Sequence, residues 1–280
     1  MQHKAFKFRE DILNLGGIVL AQITKKYDIK RVNKSKISEN PEVILESDKP
    51  LSQSMLWKLQ ADFYANQGPV LDCATFDMTQ DEEIRLKCSG EVLSEGDLKN
   101  PLILFANYTF DSLPQDTFYV NKGELFEGLI TITSKGEQVD SEDKSILADL
   151  DYYYTDKQIQ GSGYYEETKI NDILLYYKDC LEDTAFSLPI VAFRCINRLK
   201  KLSGDDIILI SADKGYRNAS SMHKNYHPYL SKHGSISLTV NFHALELYFK
   251  SLGGKAIHSI YEHENVTMSL FLQVRGHIIL

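Results

Sequence analysis

Apolar and polar positions repeat with more than one period along this chain, and the changes of period mark its elements. Between Phe6 and Ile29, the residues Ile12, Leu15, Val19 and Ile23 recur three and four positions apart, the spacing of one helix face. Gly16-Gly17 interrupts that segment, so the stretch also reads as a helix that ends there and a strand that starts at Ile18–Ile23. Pro41–Pro50 is a polar connector enclosing a short strand-like piece, Val43–Glu46. A helix start follows at Pro50-Leu51-Ser52, with Leu56, Trp57, Leu59 and Phe63 on its apolar side, closing at Gly68-Pro69.

The rhythm then turns to strands. Leu71–Met78 alternates apolar and polar positions, and Leu102–Ala106 is a continuous apolar run of the kind buried on both faces. Thr117–Val120 and Leu125–Thr133 flank Asn121-Lys122-Gly123, a hairpin with Lys122-Gly123 as its turn. Ser134–Glu166 is acidic and tyrosine-rich, and reads as a long excursion outside the core, its tyrosines pinning it to the surface. Ile170–Leu181 and Pro189–Leu202 read as helices, and Asp206–Ser211 as the next buried strand. The last unit is a strand (Ile236–Asn241), a helix (Phe242–Leu252) capped by Gly253-Gly254, and two strands (Ala256–Tyr261, Val266–Val274). Together these predict an α/β protein whose sheet is mostly parallel with an antiparallel C-terminal edge.

Composition narrows the class. Hydrophobic residues at 43% and charged residues at 25% are globular values. A net charge of −8 argues against a nucleic-acid partner, since Lys25–Lys36 is the single basic run and reads as a solvated helix end. No apolar run reaches membrane-spanning length, and the start MQHKAFKFRED lacks a secretory core, so a cytoplasmic protein is expected. The four scattered cysteines form no metal or disulfide pattern and read as small hydrophobes. His223, His227 and His233 are spaced near a ligand pattern, but Pro228 falls among them, which favours hydrogen-bonding histidines.

The candidate chemistry lies past the buried strand, in Asn107–Asp116. In an open α/β sheet, ligands bind at the carboxyl ends of strands near the reversal of strand order. Asn107, Tyr108, Asp111 and Asp116 stand there, where an amide and carboxylates can orient a nucleophile and accept its proton. The alternative is a capped turn, with Asp111 or Ser112 capping a helix that has Pro114 in its first turn.

Three stretches in order carry a family resemblance. These are Asn107 with Thr109-Phe110, Asp111, Ser112 and Leu113-Pro114; Asp206–Asp213, an apolar strand ending in an acid; and His233–Ala244, with its Gly-Ser-x-Ser phrase and Val240-Asn241-Phe242-His243. The chain resembles the MidA-like group of class I S-adenosylmethionine (SAM) methyltransferases from about Asp72 to Leu272. The resemblance implies a Rossmann-like sheet, SAM as cofactor, an adenine contact from Asp77 after the third strand, and a protein arginine as methyl acceptor. It also admits a mitochondrial location. A strand-end Asp capping its own turn is the other reading of Asp77.

The resemblance also implies a glycine-rich cofactor loop after the first strand, and neither Gly16-Gly17 nor Gly161-Ser162-Gly163 has the required setting. Pro69 runs directly into the strand read as third, so the first two strand–helix units read as missing at Gly68–Leu71. The expectation is therefore an incomplete methyltransferase domain over 70–280 behind a mainly helical lead-in over 1–69. Each missing strand would remove about 6–12 kcal/mol of burial. Either Leu71–Met78 pairs directly with Leu102–Ala106, or Ile18–Ile23 takes up part of the vacancy. The corresponding functions are a SAM-dependent methyltransferase, or a truncated, non-catalytic relative that is an interaction module or a non-functional gene fragment.

Overall fold

The computed structural model describes residues 18–23, 42–46, 71–87, 89–134, 150–222, 227–228, 230–232, 236–259 and 266–275. The expected helix at 51–69, the basic run at 25–36, His223, His233, Gly16-Gly17 and Gly68-Pro69 lie outside them.

In chain order the strands begin with β1 (Ile18–Ile23), β2 (Glu42–Glu46), β3 (Leu71–Thr75), the short pair β4 (Ile84–Arg85) and β5 (Val92–Leu93), and β6 (Leu102–Asn107). Then come β7 (Asp116–Asn121), β8 (Glu124–Ser134), β9 (Leu150–Ile159), helix α1 (Thr168–Cys180), β10 (Thr184–Leu188), helix α2 (Ile190–Lys201) and β11 (Ile207–Asp213). The remainder is β12 (Gly215–Tyr216), β13 (Ser231–Lys232), β14 (Ile236–Ser237), β15 (Val240–Asn241), helix α3 (Phe242–Ser251), β16 (Lys255–His258) and β17 (Thr267–Gln273).

Seven strands form one sheet in the order β16-β17-β11-β6-β1-β2-β3. β1 pairs in parallel with β2 on one side (Leu20 opposite Val43) and with β6 on the other (Leu20 opposite Leu104). β3 extends the sheet beyond β2, β11 lies parallel to β6, and β17 alone is reversed, between β11 and β16. This corrects two expectations. The central strands are present: Ile18–Ile23 takes the place beside β6, as the second alternative had it, and Glu42–Glu46 the next, both from within the segment read as a helical lead-in. Direct pairing of Leu71–Met78 with Leu102–Ala106 does not occur, because β2 and β1 stand between β3 and β6. The physical reason is the burial argued above: a gap beside β6 would expose its apolar run, and a strand from the N-terminal segment closes it.

The β6 run is buried on both sides, as its pattern predicts. Leu102, Leu104 and Ala106 join Ile207, Leu209 and Phe271 in the main core, while Ile103 joins Ile208, Ile210 and Leu272 on the opposite face. α3 seals the far end of the sheet: Asn241 caps it by accepting from the Ala244 N–H (2.9 Å), and Phe249 stacks on Phe271 at 5.2 Å. Gly253, at φ +82°, ends it in the left-handed conformation that glycine adopts without strain.

A second sheet, β10-β7-β8-β9, is wholly antiparallel and comes from the chain between β6 and β11. Its β7–β8 hairpin turns on Lys122 (φ +51°) and Gly123 (φ +75°), both left-handed as such two-residue turns require. The region read as an excursion contributes β9, ten residues paired along β8. Tyr164 and Tyr165 fold back edge-on against the buried ring of Phe118, at 5.5 and 6.5 Å. The expected strand Ile236–Asn241 is two fragments, because the Leu238 N–H leaves strand pairing to donate to the Asp111 carbonyl at 2.8 Å.

Candidate functional site at the carboxyl edge of the sheet

Six strands run in one direction and end on one edge, β1, β2, β3, β6 and β11 at Ile23, Glu46, Thr75, Asn107 and Asp213, and β16 at His258. The chain steps outward from β1 to β2 to β3 on one side and from β6 to β11 on the other. The order therefore reverses between β1 and β6, and a crevice at such a reversal is where this sheet type takes ligands.

Asn107, exposed, is the last residue of β6. Tyr108 follows at φ +51°, a conformation that costs a bulky residue about 1–3 kcal/mol and collects at functional sites. Its N–H donates to the Ala212 carbonyl at 3.0 Å, and its ring stands 54% exposed. Phe110, fully buried, plugs the three-residue 3-10 turn that comes next. No helix follows that turn, so the capping alternative for Asp111 and Ser112 is not realised; Ser112 instead donates to the Asp111 carboxylate at 2.9 Å.

Asp213, at the end of β11, is the strongest electrostatic feature of the edge. It is fully buried, and its two oxygens accept from the Asp111 N–H (3.2 Å) and the Lys214 N–H (2.8 Å). Burial pushes its carboxyl up to about 7; the charge of Asp111 adds to this, and the backbone donors, including that of Thr109, oppose it. A group poised near neutrality beside a second carboxyl can hold or release a proton at working pH. The signal in the sequence was an acid closing an otherwise apolar strand.

The other predicted residues lie apart from this pair. Asp116 opens β7 in the second sheet, and its carboxylate accepts from the Tyr165 hydroxyl at 2.7 Å. Burial, reinforced by Asp116, raises that phenol well above its usual range. Asp77 follows β3, as expected, but caps its own turn. Its oxygens accept from the Thr79 N–H (2.8 Å), the Thr79 hydroxyl (2.6 Å) and Gln80 Nε2 (2.8 Å). Those bonds, the Thr79 hydroxyl first, hold its carboxyl below the usual range. Arg198 of α2 locks the turn by donating to the carbonyls of Met78 (2.6 Å) and Asp81 (2.9 Å).

Glu46 had no assigned role, because Val43–Glu46 read as a short strand-like piece within the polar connector of the lead-in; it closes β2 on the same edge. Asn241 had none beyond the resemblance. It ties the edge to the second sheet, donating to the Ser187 carbonyl (2.9 Å) and accepting from the Tyr177 hydroxyl (3.2 Å). His227 pairs with Asp156 at 2.9 Å and stacks on Tyr154 at 4.5 Å. Among the described residues no cluster of His, Cys, Asp or Glu could hold a metal ion, and no helix is long and apolar enough to cross a membrane.

The sheet order and its switch-point loop define a doubly wound α/β fold with the first strand in mid-sheet beside the fourth, as in the class I methyltransferases. No protein-family model and no curated protein matches the sequence. In structure the chain is similar to a COG1565 superfamily member from Burkholderia thailandensis, described provisionally as a methyl transferase and bound to S-adenosyl-homocysteine. The TM-score is 0.49 at 9% identity, over 96% of this chain and 77% of that one. It is also similar to a native crystal structure of a COG1565 superfamily protein from the same organism, with TM-score 0.45 and 9% identity over 90% and 62% of the two chains.

Proposed function

We propose that this chain is a methyltransferase-type protein that takes SAM at the crevice between β1 and β6 and presents a cationic nitrogen to Tyr108 and Asp111. The observation that carries the reading is the strand order, with β1 beside β6 and β17 alone reversed. Two features at the edge fit the cofactor. Glu46 ends the second strand about twenty residues past β1, where folds of this kind place the acid that bonds ribose hydroxyls. The turn after β6 leaves Asn107 and the Tyr108 ring exposed at the switch point.

Two features do not fit. The connector 24–41 after β1 contains no glycine, and the Asp77 carboxylate is committed to Thr79 and Gln80. When bound, SAM supplies the electrophilic methyl group. The chain's own contribution is orientation of the acceptor. An aromatic face attracts a planar cation, and a carboxylate can accept two parallel N–H bonds from a guanidinium, which suits a protein arginine. The glycine-free connector favours a second reading, a relative that keeps the sheet without the catalysis.

Calorimetry with S-adenosyl-homocysteine and SAM separates the two. Binding in the micromolar range, roughly 8 kcal/mol, is expected. No heat from a protein that still melts cooperatively contradicts the methyl-transfer reading and leaves the non-catalytic one.

A further inference from the structure

The second sheet has one long edge. Among the described residues β9 pairs with β8 alone, whereas β10, at the opposite edge, is buried at every position. Sheets blunt an edge with a bulge, a proline or a very short strand, because its unpaired N–H and C=O groups invite another strand. β9 has none of these devices. Its ladder with β8 runs unbroken from Leu125–Ile159 to Ser134–Leu150, and 150–159 contains neither proline nor glycine. We propose that β9 pairs edge to edge with β9 of a second copy of this chain, antiparallel about a two-fold axis at Tyr154, which joins the two four-stranded sheets into one.

Charge selects the register. Continuing the sheet through a two-fold axis keeps each face on its own side, so the axis must pass through a residue of β9. At Tyr154 it sets Asp151 opposite the partner's Lys157 in two symmetric places, with Leu150 meeting Gln158 at the ends of the ladder. An axis at Thr155 would pair Lys157 with Tyr153 instead, and one at Asp156 would set two aspartates face to face. Opposite charges across strands stabilise a pair and like charges destabilise it. The Lys157 side chain is 67% exposed and stands 3.9 Å from Glu127 on its own hairpin, the outer limit of an ion pair, so its ammonium can also serve a carboxylate across the edge.

Exposed apolar side chains gather on the same hairpin. Tyr153 is 55% exposed; in this register it meets the partner's Thr155 and lies diagonal to the partner's Tyr153, within reach of an aromatic pair. Leu129, opposite Thr155 on β8, extends that strip, and Ile130 and Ile132 are exposed on the reverse face beside Tyr154 and Tyr152. Such a cluster, rimmed by Asp151 and Lys157, marks a protein contact. A foreign strand would need an acid and a base at the matching spacing, which a second copy carries by identity.

Sedimentation of the full chain, paired with amide hydrogen exchange, tests this. A monomer–dimer equilibrium with a Kd on the order of 10 µM is expected, and exchange over Leu150–Gln158 should slow as concentration rises through that value. Asp151→Lys sets lysine against lysine twice and should raise the Kd about tenfold or more. Adding Lys157→Asp to it reverses both charges and should restore association to within about threefold of the parent. A monomer at about 100 µM, exchange over β9 that ignores concentration, an unchanged Kd in Asp151→Lys, or no recovery in the double variant each overturn the proposal. Should either variant melt earlier than the parent, the parent's concentration-dependent exchange decides alone. None of these readouts depends on SAM binding at β1 and β6.

Discussion

Asp213→Asn is expected to abolish a pH dependence of stability that the parent protein shows between about pH 4 and pH 7. An unfolded aspartate titrates near 3.9, whereas the folded Asp213 titrates at about 7. Between those values the folded state holds a proton that the unfolded state has released, so stability falls as pH rises and levels off above pH 7. About three units at about 1.4 kcal/mol each give a loss of about 4 kcal/mol, a large part of a domain's net stability. Asparagine is neutral throughout, and its oxygen can keep one of the bonds from the Asp111 or Lys214 N–H. The variant should therefore exceed the parent by about 2–4 kcal/mol at pH 8 and match it near pH 5. Denaturant midpoints at pH 5, 6, 7 and 8 measure this, and parallel curves for the two proteins would rule out a proton held at Asp213. Retention of such a costly group at the crevice is the pattern of a site where stability yields to chemistry.

The second large effect is expected at the other side of the switch point. Leu20 lies mid-strand in β1, opposite Val43 and Leu104. Leu20→Pro removes a ladder donor and forces the backbone from a strand that is paired on both sides, where proline is not accommodated. The proline costs about 3 kcal/mol or more by itself. Loss of the strand adds about 6–12 kcal/mol, against a net stability of about 5–15 kcal/mol. A fall in Tm of more than about 10 °C, or loss of the cooperative transition, should follow. The same substitution in a lead-in outside the sheet would leave Tm almost unchanged.

How far the sequence could be read depended on how local the deciding physics is. β6 was legible because a continuous apolar run after Asn100-Pro101 has few alternatives, and the β7–β8 turn because Lys122-Gly123 can adopt positive φ. β11, β17 and α3 with its double-glycine end were legible for similar reasons. β1 was not, since Ile18–Ile23 satisfies both a helical and a strand spacing, and only its neighbours β2 and β6 decide between them. The absence of glycine after it removed the usual marker of a first strand. β9 was hidden by its polarity: Tyr152 and Tyr154 face the molecule while Asp151, Tyr153 and Thr155 face outward, so no apolar run announces it. At the site, the place of Asn107, Tyr108 and Asp111 past β6 followed from the apolar run. The burial of Asp213, the capture of Asp116 by Tyr165 and of Asp77 by its own turn are tertiary facts that no local pattern encodes.

Whether β1 completes the sheet is tested most directly by amide hydrogen exchange resolved to short peptides. The amides of Ile18–Ile23 should be protected to the same extent as those of Leu102–Asn107 and Ile207–Asp213, near the limit set by global unfolding. Exchange of Ile18–Ile23 within seconds, while Leu102–Asn107 stays protected, would contradict a seven-stranded sheet with its switch point at β1 and β6.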